Sequence, residues 1–291
     1  MNGEKYIYAG NRSTVLRRMI SLGLDVKYVL PTAGSWLERE MPELGLPFTP
    51  VASKKQATDF LGAQKFDVFV STGFRFILPV TLLQGMHPDA KFVNVHPSFL
   101  PDLRGADPIP GAVLFGRDSG VTCHLMDDGI DTGAIIAQRK IPYFEGLDSK
   151  LLYKLCFKLE PDVFEEAYKL KFANVTVGTK PEVKQIYYTC KTGDDVFHES
   201  DDAEQLVRRV RAFNTPKRGF QFLFGDHKCR VFDALVIEQD LGFDLNFGHG
   251  SWELVESYED CLLLAKNKTL VRLSGVTPPP VGHFLGRVGT N

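Results

Sequence analysis

No stretch of this chain approaches the roughly 20 consecutive apolar residues that cross a bilayer. The opening residues, Met-Asn-Gly-Glu-Lys-Tyr, lack the apolar core of a secretory leader. Neither sign of charge dominates: 34 Lys and Arg stand against 36 Asp and Glu, a formal net charge of -2. That balance gives no global field for nucleic acid or an anionic membrane. Cysteine is sparse. Cys123, Cys156, Cys190, Cys229 and Cys261 are odd in number, scattered, and never spaced C-x-x-C. Reduced thiols are expected, rather than a disulfide framework or a zinc site. A G-x-G-x-x-G fingerprint, an internal repeat and a low-complexity block are also missing. A cytoplasmic globular protein remains, and 291 residues with 44% hydrophobic content suit two domains.

What is present alternates. Lys5 to Tyr8 reads as a strand. Ser13 can cap a helix running to about Leu22, with Leu16, Met19 and Ile20 on one face and Gly23 as its stop. Val26–Leu30 is strand-like, Ser35–Leu44 a helix interrupted by Pro42, and Lys54–Gln64 another helix. Phe66–Ser71 reads as a buried strand, Pro79–Met86 as a short helix, and Phe92–His96 as the next strand. Strand-helix alternation implies parallel pairing through right-handed crossovers, hence a doubly wound, Rossmann-like α/β domain with a mostly parallel sheet. Two strands, G-V-T-C-H-L-M and A-I-I-A-Q-R-K-I-P-Y, follow. A helix over Ser149–Lys171 comes next, with Leu152, Leu155, Leu159 and Phe164 facing the sheet. From Pro181 short strands with glycine turns predict a smaller, β-rich, barrel-like domain and a loosely structured tail. The expected domains are 1–183 and 184–291.

The segment N-V-H-P-S-F-L-P-D-L-R-G, Asn94 to Gly105, ends a strand in an unusual way. Side chains alternate along a strand, so Asn94 and His96 share a face while Val93 and Val95 pack. Pro97, with no N–H to give, ends the ladder. Ligands bind at the carboxyl ends of strands in open α/β sheets. An amide and an imidazole there suit acyl transfer, one donating to an oxyanion and the other relaying a proton. The same residues also suit a satisfied structural histidine and a turn-forming asparagine. M-D-D-G-I-D-T-G, Met126 to Gly133, has the composition of a hairpin loop. It lacks calcium-loop spacing, and His96, His124 and these aspartates have no metal-ligand spacing, so no metal is expected.

Taken together, the two segments resemble the 10-formyltetrahydrofolate-dependent formyltransferases. That family shares Asn-x-His-Pro-Ser-x-Leu-Pro-x-x-x-Gly, then Asp-x-Gly about 35 residues past the histidine. Here the match is Asn94, His96, Pro97, Ser98, Leu100, Pro101 and Gly105, then Asp131-Thr132-Gly133. It extends over most of residues 1–145. The resemblance implies Asn94, His96 and Asp131 as catalytic residues and 10-formyltetrahydrofolate as formyl donor. Asn94 and a protonated His96 would hold the oxyanion, with Asp131 orienting His96 and favouring its cation. Phe76, Ile77 and Leu78 would line the pterin site, closed by Met126, Asp127, Asp128, Gly129 and Ile130. Ile77 and Leu78 equally suit plain core.

Members of the family formylate glycinamide ribonucleotide, initiator methionyl-tRNA or a nucleotide-linked amino sugar. The purine-pathway members lack a further domain of the kind expected here. The region from Tyr187 to Pro216 resembles the start of the second domain of the transfer-RNA members and of some sugar N-formyltransferases. From Ile186 onward, however, 12 Lys and Arg face 15 Asp and Glu, where a nucleic-acid binder needs a positive balance. The cluster Arg208, Arg209, Arg211, Lys217 and Arg218 is the exception, and a solvated helix face accounts for it equally. Asp107, and a missing tryptophan after Pro110, also depart from the transfer-RNA members. The resemblance therefore favours a dTDP-, GDP- or UDP-linked 4-amino sugar of the lipopolysaccharide O-antigen type as acceptor. Folate and this small molecule are then the partners, with no nucleic acid and no membrane, and the protein is expected to be a homodimer. Methionyl-tRNA formyltransferase is the alternative enzyme, and a catalytically silent folate- or nucleotide-binding module the alternative of another class. Asn11, Arg12 and Ser13 at the first strand-helix turn, with Arg104, are candidate acceptor contacts. Trp36 and Arg39 suit a nucleotide contact or ordinary packing.

Overall fold

Apolar strands and amphipathic helices follow one another closely through the first half of the chain. The computed structural model describes residues 3–173, 184–224, 227–237, 250–279 and 286–287. The order is β1 (Lys5–Gly10), α1 (Thr14–Ser21), β2 (Asp25–Pro31), α2 (Trp36–Leu44), α3 (Lys54–Ala63), β3 (Val68–Thr72), α4 (Val80–Met86), β4 (Lys91–His96), α5 (Pro108–Leu114), β5 (Ser119–Leu125), β6 (Ile135–Ile141) and α6 (Ser149–Lys169). These strands form one six-stranded sheet ordered β2-β1-β3-β4-β5-β6. The first four run parallel, as crossover helices require, and the β5–β6 hairpin adds two antiparallel strands at one edge.

Burial explains why these segments hold together. Ile7, Ala9, Phe69 and Phe92 from the sheet pack with Ala57, Leu61 and Leu83 from α3 and α4. Each fully buried Ile, Leu or Phe among them contributes roughly 1.5–3 kcal/mol of transfer free energy. On α1 the buried residues are Val15, Leu16 and Met19, whereas Ile20, in the last turn, is exposed. Pro42 does not interrupt α2. It lies in the helix's final three residues and deletes one ladder bond, after which left-handed Gly45 closes the helix. The buried stripe of α6 is Leu152, Cys156, Glu160, Phe164 and Ala167, while Leu155 and Leu159 are only partly buried. A carboxylate therefore occupies a core position of this helix.

The remaining elements are α7 (Ala203–Phe213), β7 (Phe220–Phe224), β8 (His227–Val231), β9 (Asp233–Ile237), β10 (Glu253–Tyr258), β11 (Cys261–Lys266), β12 (Thr269–Ser274) and β13 (Gly286–Arg287). They form a five-stranded antiparallel sheet, β13-β10-β11-β12-β9, and the two-stranded β7-β8 ribbon. The β-rich expectation holds as two sheets among the described residues. Leu206 and Val210 of α7 pack with Phe220, Trp252, Leu264 and Leu273. Most of the tail expected to be loose lies outside the described residues, apart from β13.

The chain divides into two compact units. One comprises Met1–Pro108, Asp118–Pro142 and Lys154–Tyr188; the other comprises Ile109–Arg117, Tyr143–Tyr153 and Thr189–Asn291. The boundary expected at 183/184 borders residues outside the described ones. Among the described residues no helix is long and apolar enough to cross a membrane.

Candidate active site

Strand β4 sets the site. It lies between β3 and β5, so its last residues project from the middle of the sheet at the carboxyl ends of the parallel strands. The antiparallel register with β5 pairs Asn94 with His124 and His96 with Thr122. Thr122 secures the chain that leaves the strand: its hydroxyl donates to the Ser98 carbonyl at 2.8 Å and accepts the Leu100 N–H at 3.1 Å. The buried His96 imidazole has its Nε2 3.2 Å from the Leu103 carbonyl. A carbonyl only accepts, so Nε2 carries the hydrogen and Nδ1 is left facing the site.

Asp131 arrives from the β5–β6 loop. Its Oδ1 lies 3.6 Å from His96 Nδ1 and 3.4 Å from Asn94 Nδ2, and its Oδ2 accepts the Gly105 N–H at 3.0 Å. Two glycines make this approach possible. A Cβ on Gly105, whose φ is +113°, would stand 2.4 Å from the Tyr188 carbonyl oxygen, and one on Gly133 would stand 1.9 Å from that of Leu125. The Gly105 loop is itself strapped by a short parallel bridge. Arg104 N–H donates to the Ile186 carbonyl at 3.1 Å and Tyr188 N–H to the Arg104 carbonyl at 2.8 Å.

His124 is the member that sequence reasoning did not place. Its Nδ1 donates to the Leu125 carbonyl at 2.7 Å, so in the neutral ring Nε2 is a lone pair. The Asn94 amide nitrogen lies 3.2 Å from it and donates. Both N–H bonds of Asn94 are therefore directed within the cluster, one at His124 and one at Asp131. The usable signal was the register between two strands already recognised, since Asn94 and His124 occupy one rung.

The charges follow from these contacts. Burial pushes the His96 imidazole below its ordinary value, with Asp131 pulling the other way. Burial alone would raise the Asp131 carboxyl, but the His124 and His96 imidazoles, each with a ring nitrogen 3.6 Å from its Oδ1 and attracting it when protonated, and the Gly105 N–H hold it at about 2. Burial thus favours a neutral His96 beside the Asp131 carboxylate, whereas the resemblance implied a protonated imidazole holding the oxyanion. Among the described residues no group of three His, Cys, Asp or Glu is arranged to hold a metal.

The other expected residues contact partners other than Asn94, His96 and Asp131. Leu78 is core and Phe76 half-buried against Phe74, whereas Ile77 is exposed. The Met126–Ile130 loop is pinned: Asp128 accepts the Thr81 N–H at 3.1 Å, and Asp127 accepts Gly129 N–H at 3.0 Å and the Thr132 hydroxyl at 2.7 Å. Arg12 is held by Glu160, with Nε 2.9 Å from its Oε2, and Ser13 donates to Glu40 at 2.6 Å. Asn11 is exposed and accepts from Arg12 Nη1 at 3.1 Å. The Nε of Arg104 is buried with no hydrogen-bond partner among the described residues.

Comparison with known proteins adds three findings. Residues 35–168 match the family model described as Formyl transferase. The methionyl-tRNA formyltransferase of Carboxydothermus hydrogenoformans is 29% identical over 197 residues, 65% of this chain and 62% of that protein. This chain spans less than two thirds of the length of the curated relatives that it matches. Among solved structures, WlaRD, a sugar 3N-formyl transferase crystallised with dTDP and 5-N-formyl-THF, superposes with a TM-score of 0.72 at 16% identity, covering 96% of this chain and all of that one. A 4-N formyltransferase from Francisella tularensis superposes at 0.63 with 20% identity, covering 81% and 99%. At these identities the superpositions establish a common fold.

Proposed function

The chain belongs to the formyltransferase family, and from that premise we propose that it moves a formyl group from 10-formyltetrahydrofolate to the amino group of a nucleotide-linked amino sugar. The convergence of Asn94, His96 and Asp131 within 3.6 Å carries the chemical part of this reading. The donor, when bound, supplies an already activated formyl carbon. The residues around its expected place suit a flat heteroaromatic ring: exposed Ile77 and half-buried Phe76 offer apolar walls beside the pinned Met126–Ile130 loop, whose backbone groups can read ring edges.

The chain's own groups then divide the work. Neutral His96 presents a bare Nδ1 that accepts a proton from the attacking amine. The imidazolium so formed lies 3.6 Å from the Asp131 carboxylate, which stabilises it until the formyl–N10 bond breaks and the proton passes from His96 to the departing folate nitrogen. The oxyanion that develops needs a donor. Asn94 provides one by exchanging its longer bond, 3.4 Å to Asp131, while the 3.2 Å bond to His124 keeps the amide in place. Fixed geometry supplies much of the remaining acceleration. Asn11, Arg12, Ser13 and Arg104 are proposed on the acceptor side, Arg104 because its Nε, without a partner among the described residues, leaves a donor to satisfy.

Charge favours a small acceptor over transfer RNA. The cationic cluster on and after α7 is largely neutralised: Arg209 pairs with Asp201 at 2.8 Å, Arg218 with Asp195 at 3.0 Å, and Arg208 with Glu204 at 3.6 Å. Cations already paired release few counterions from a phosphate backbone. A sugar 3N-formyl transferase also superposes over 96% of this chain, and a 4-N formyltransferase over 81%. The sequence relatives support methionyl-tRNA as the second reading. Incubation with 10-formyltetrahydrofolate and a panel of dTDP-, UDP- and GDP-linked amino sugars, beside charged initiator transfer RNA, separates the two. Product on a sugar is expected; product on the transfer RNA alone would replace this reading with the second.

A further inference from the structure

Tryptophan occurs twice in the chain, and the two residues are opposites. Trp252 is fully buried in the second unit, its indole N–H donating to the Asp201 carbonyl at 3.0 Å. Trp36 is 59% exposed. It stands in the first turn of α2, just past the carboxyl end of β2, on the sheet edge where ligands of this fold class bind. The Arg39 guanidinium lies over its ring, 5.3 Å from the centroid.

The backbone under this indole is unusually well fixed for a loop. Ala33 N–H bonds the Val51 carbonyl at 2.9 Å, Ser35 N–H that of Thr32 at 3.0 Å, and Gly34 N–H the Glu38 carboxylate at 2.5 Å. Ser35 caps the helix by accepting the Glu38 N–H, and Leu37 N–H reaches across to the Asn11 carbonyl at 3.2 Å. Asn11 and Arg12 in turn crowd Gly73, where a Cβ would stand 2.1 Å from Arg12 Nη1 and 2.5 Å from Asn11 Oδ1. Three loops, after β1, β2 and β3, thus form a continuous rim from Trp36 towards β4.

Distance fits a specific ligand. Strand order β2-β1-β3-β4 puts three interstrand steps between the end of β2 and the catalytic strand. At about 4.8 Å per step that is roughly 14 Å, the reach of an extended nucleoside diphosphate sugar from base to hexose. We propose that Trp36, held flat by Arg39, is the stacking platform for the nucleobase of the acceptor. The diphosphate then passes the Asn11–Arg12 turn, and the hexose amine arrives at His96. A preformed aromatic plane costs little ordering on binding and supplies stacking to any base, so this contact sets affinity for the nucleotide rather than the rate of transfer. The inference rests on the acceptor reading above.

Intrinsic fluorescence gives a direct test, because Trp36 is the exposed one of two tryptophans. Titration with dTDP, UDP or GDP should quench it, inorganic pyrophosphate should not, and Trp36→Ala should abolish the change. With the nucleotide amino sugar that serves as acceptor, Trp36→Ala should raise KM about tenfold, within the range of base–aromatic stacking, with kcat unchanged. Trp36→Phe, which keeps a ring, should recover most of the affinity. Sugar formylation without quenching, or with an unchanged KM in Trp36→Ala, would overturn the platform alone. Equal quenching by pyrophosphate would overturn it too. Quenching by the nucleotides with no formylation of any nucleotide sugar would keep the platform and overturn the acceptor reading.

Discussion

His124 and Asn94 face each other across one rung of the sheet, so a change at one is felt by the other. His124→Ala is expected to lower kcat about tenfold or more while leaving KM for the folate donor unchanged, since coupling between touching side chains is roughly 0.5–3 kcal/mol. The decisive form is a double-mutant cycle. In an Asn94→Ala background the same His124→Ala change should cost almost nothing, and full additivity would show that His124 does not act through Asn94. The His96 titration carries a second expectation. Burial holds its pKa down, and in the proposed mechanism the neutral ring is the working form, so activity should be full above that pKa and lost as pH falls through it. The acid limb of kcat/KM should therefore lie below the ordinary histidine range. Asp131 opposes that lowering, so Asp131→Asn should move the limb further down in pH and also reduce kcat about a hundredfold or more. A limb that moves up would contradict the assignment.

At the scale of elements, two supports outside the reacting cluster should prove costly to remove. Gly105→Ala forces a Cβ to within 2.4 Å of the Tyr188 carbonyl at a positive φ. It should destabilise the fold by about 1–3 kcal/mol in urea titration and pull the Gly105 N–H from Asp131. Glu160→Gln leaves the Arg12 guanidinium without its counter-charge in a buried setting, since the Glu160 side chain has no exposure at all. A loss of about 3–5 kcal/mol is expected, read as a lower midpoint of denaturation. These same elements show how far the sequence could be read. The alternation of strands and helices, the β5–β6 hairpin and the shared face of Asn94 and His96 follow from side-chain periodicity, which is local. Glu160 is invisible to such reading, because a carboxylate in the core stripe of α6 is acceptable only through Arg12 and Thr14, almost 150 positions away. His124 is hidden for a related reason: periodicity gives each strand its face but not the register between strands. Ile20, on the expected apolar face of α1, is exposed all the same, since pattern alone does not say where packing ends.

For the whole molecule, the question is which amine is formylated. Sequence relatives include methionyl-tRNA formyltransferases, and solved structures that superpose on most of this chain include sugar enzymes. Charge favours the small acceptor of the proposal, because transfer RNA demands unpaired cations and Arg208 and Arg209 of α7 are held by Glu204 and Asp201. Formylation should accordingly depend only weakly on salt between low and physiological ionic strength, whereas a steep fall would point to a polyanionic acceptor. The most direct measurement follows an isotopically labelled formyl carbon from 10-formyltetrahydrofolate in the wild-type protein and in His96→Ala, with a nucleotide-linked amino sugar as acceptor. Label should appear on the sugar nitrogen with the wild type and fall by at least about a hundredfold with the variant. Label on the sugar at an undiminished rate in His96→Ala would contradict the central role of the Asn94, His96 and Asp131 cluster.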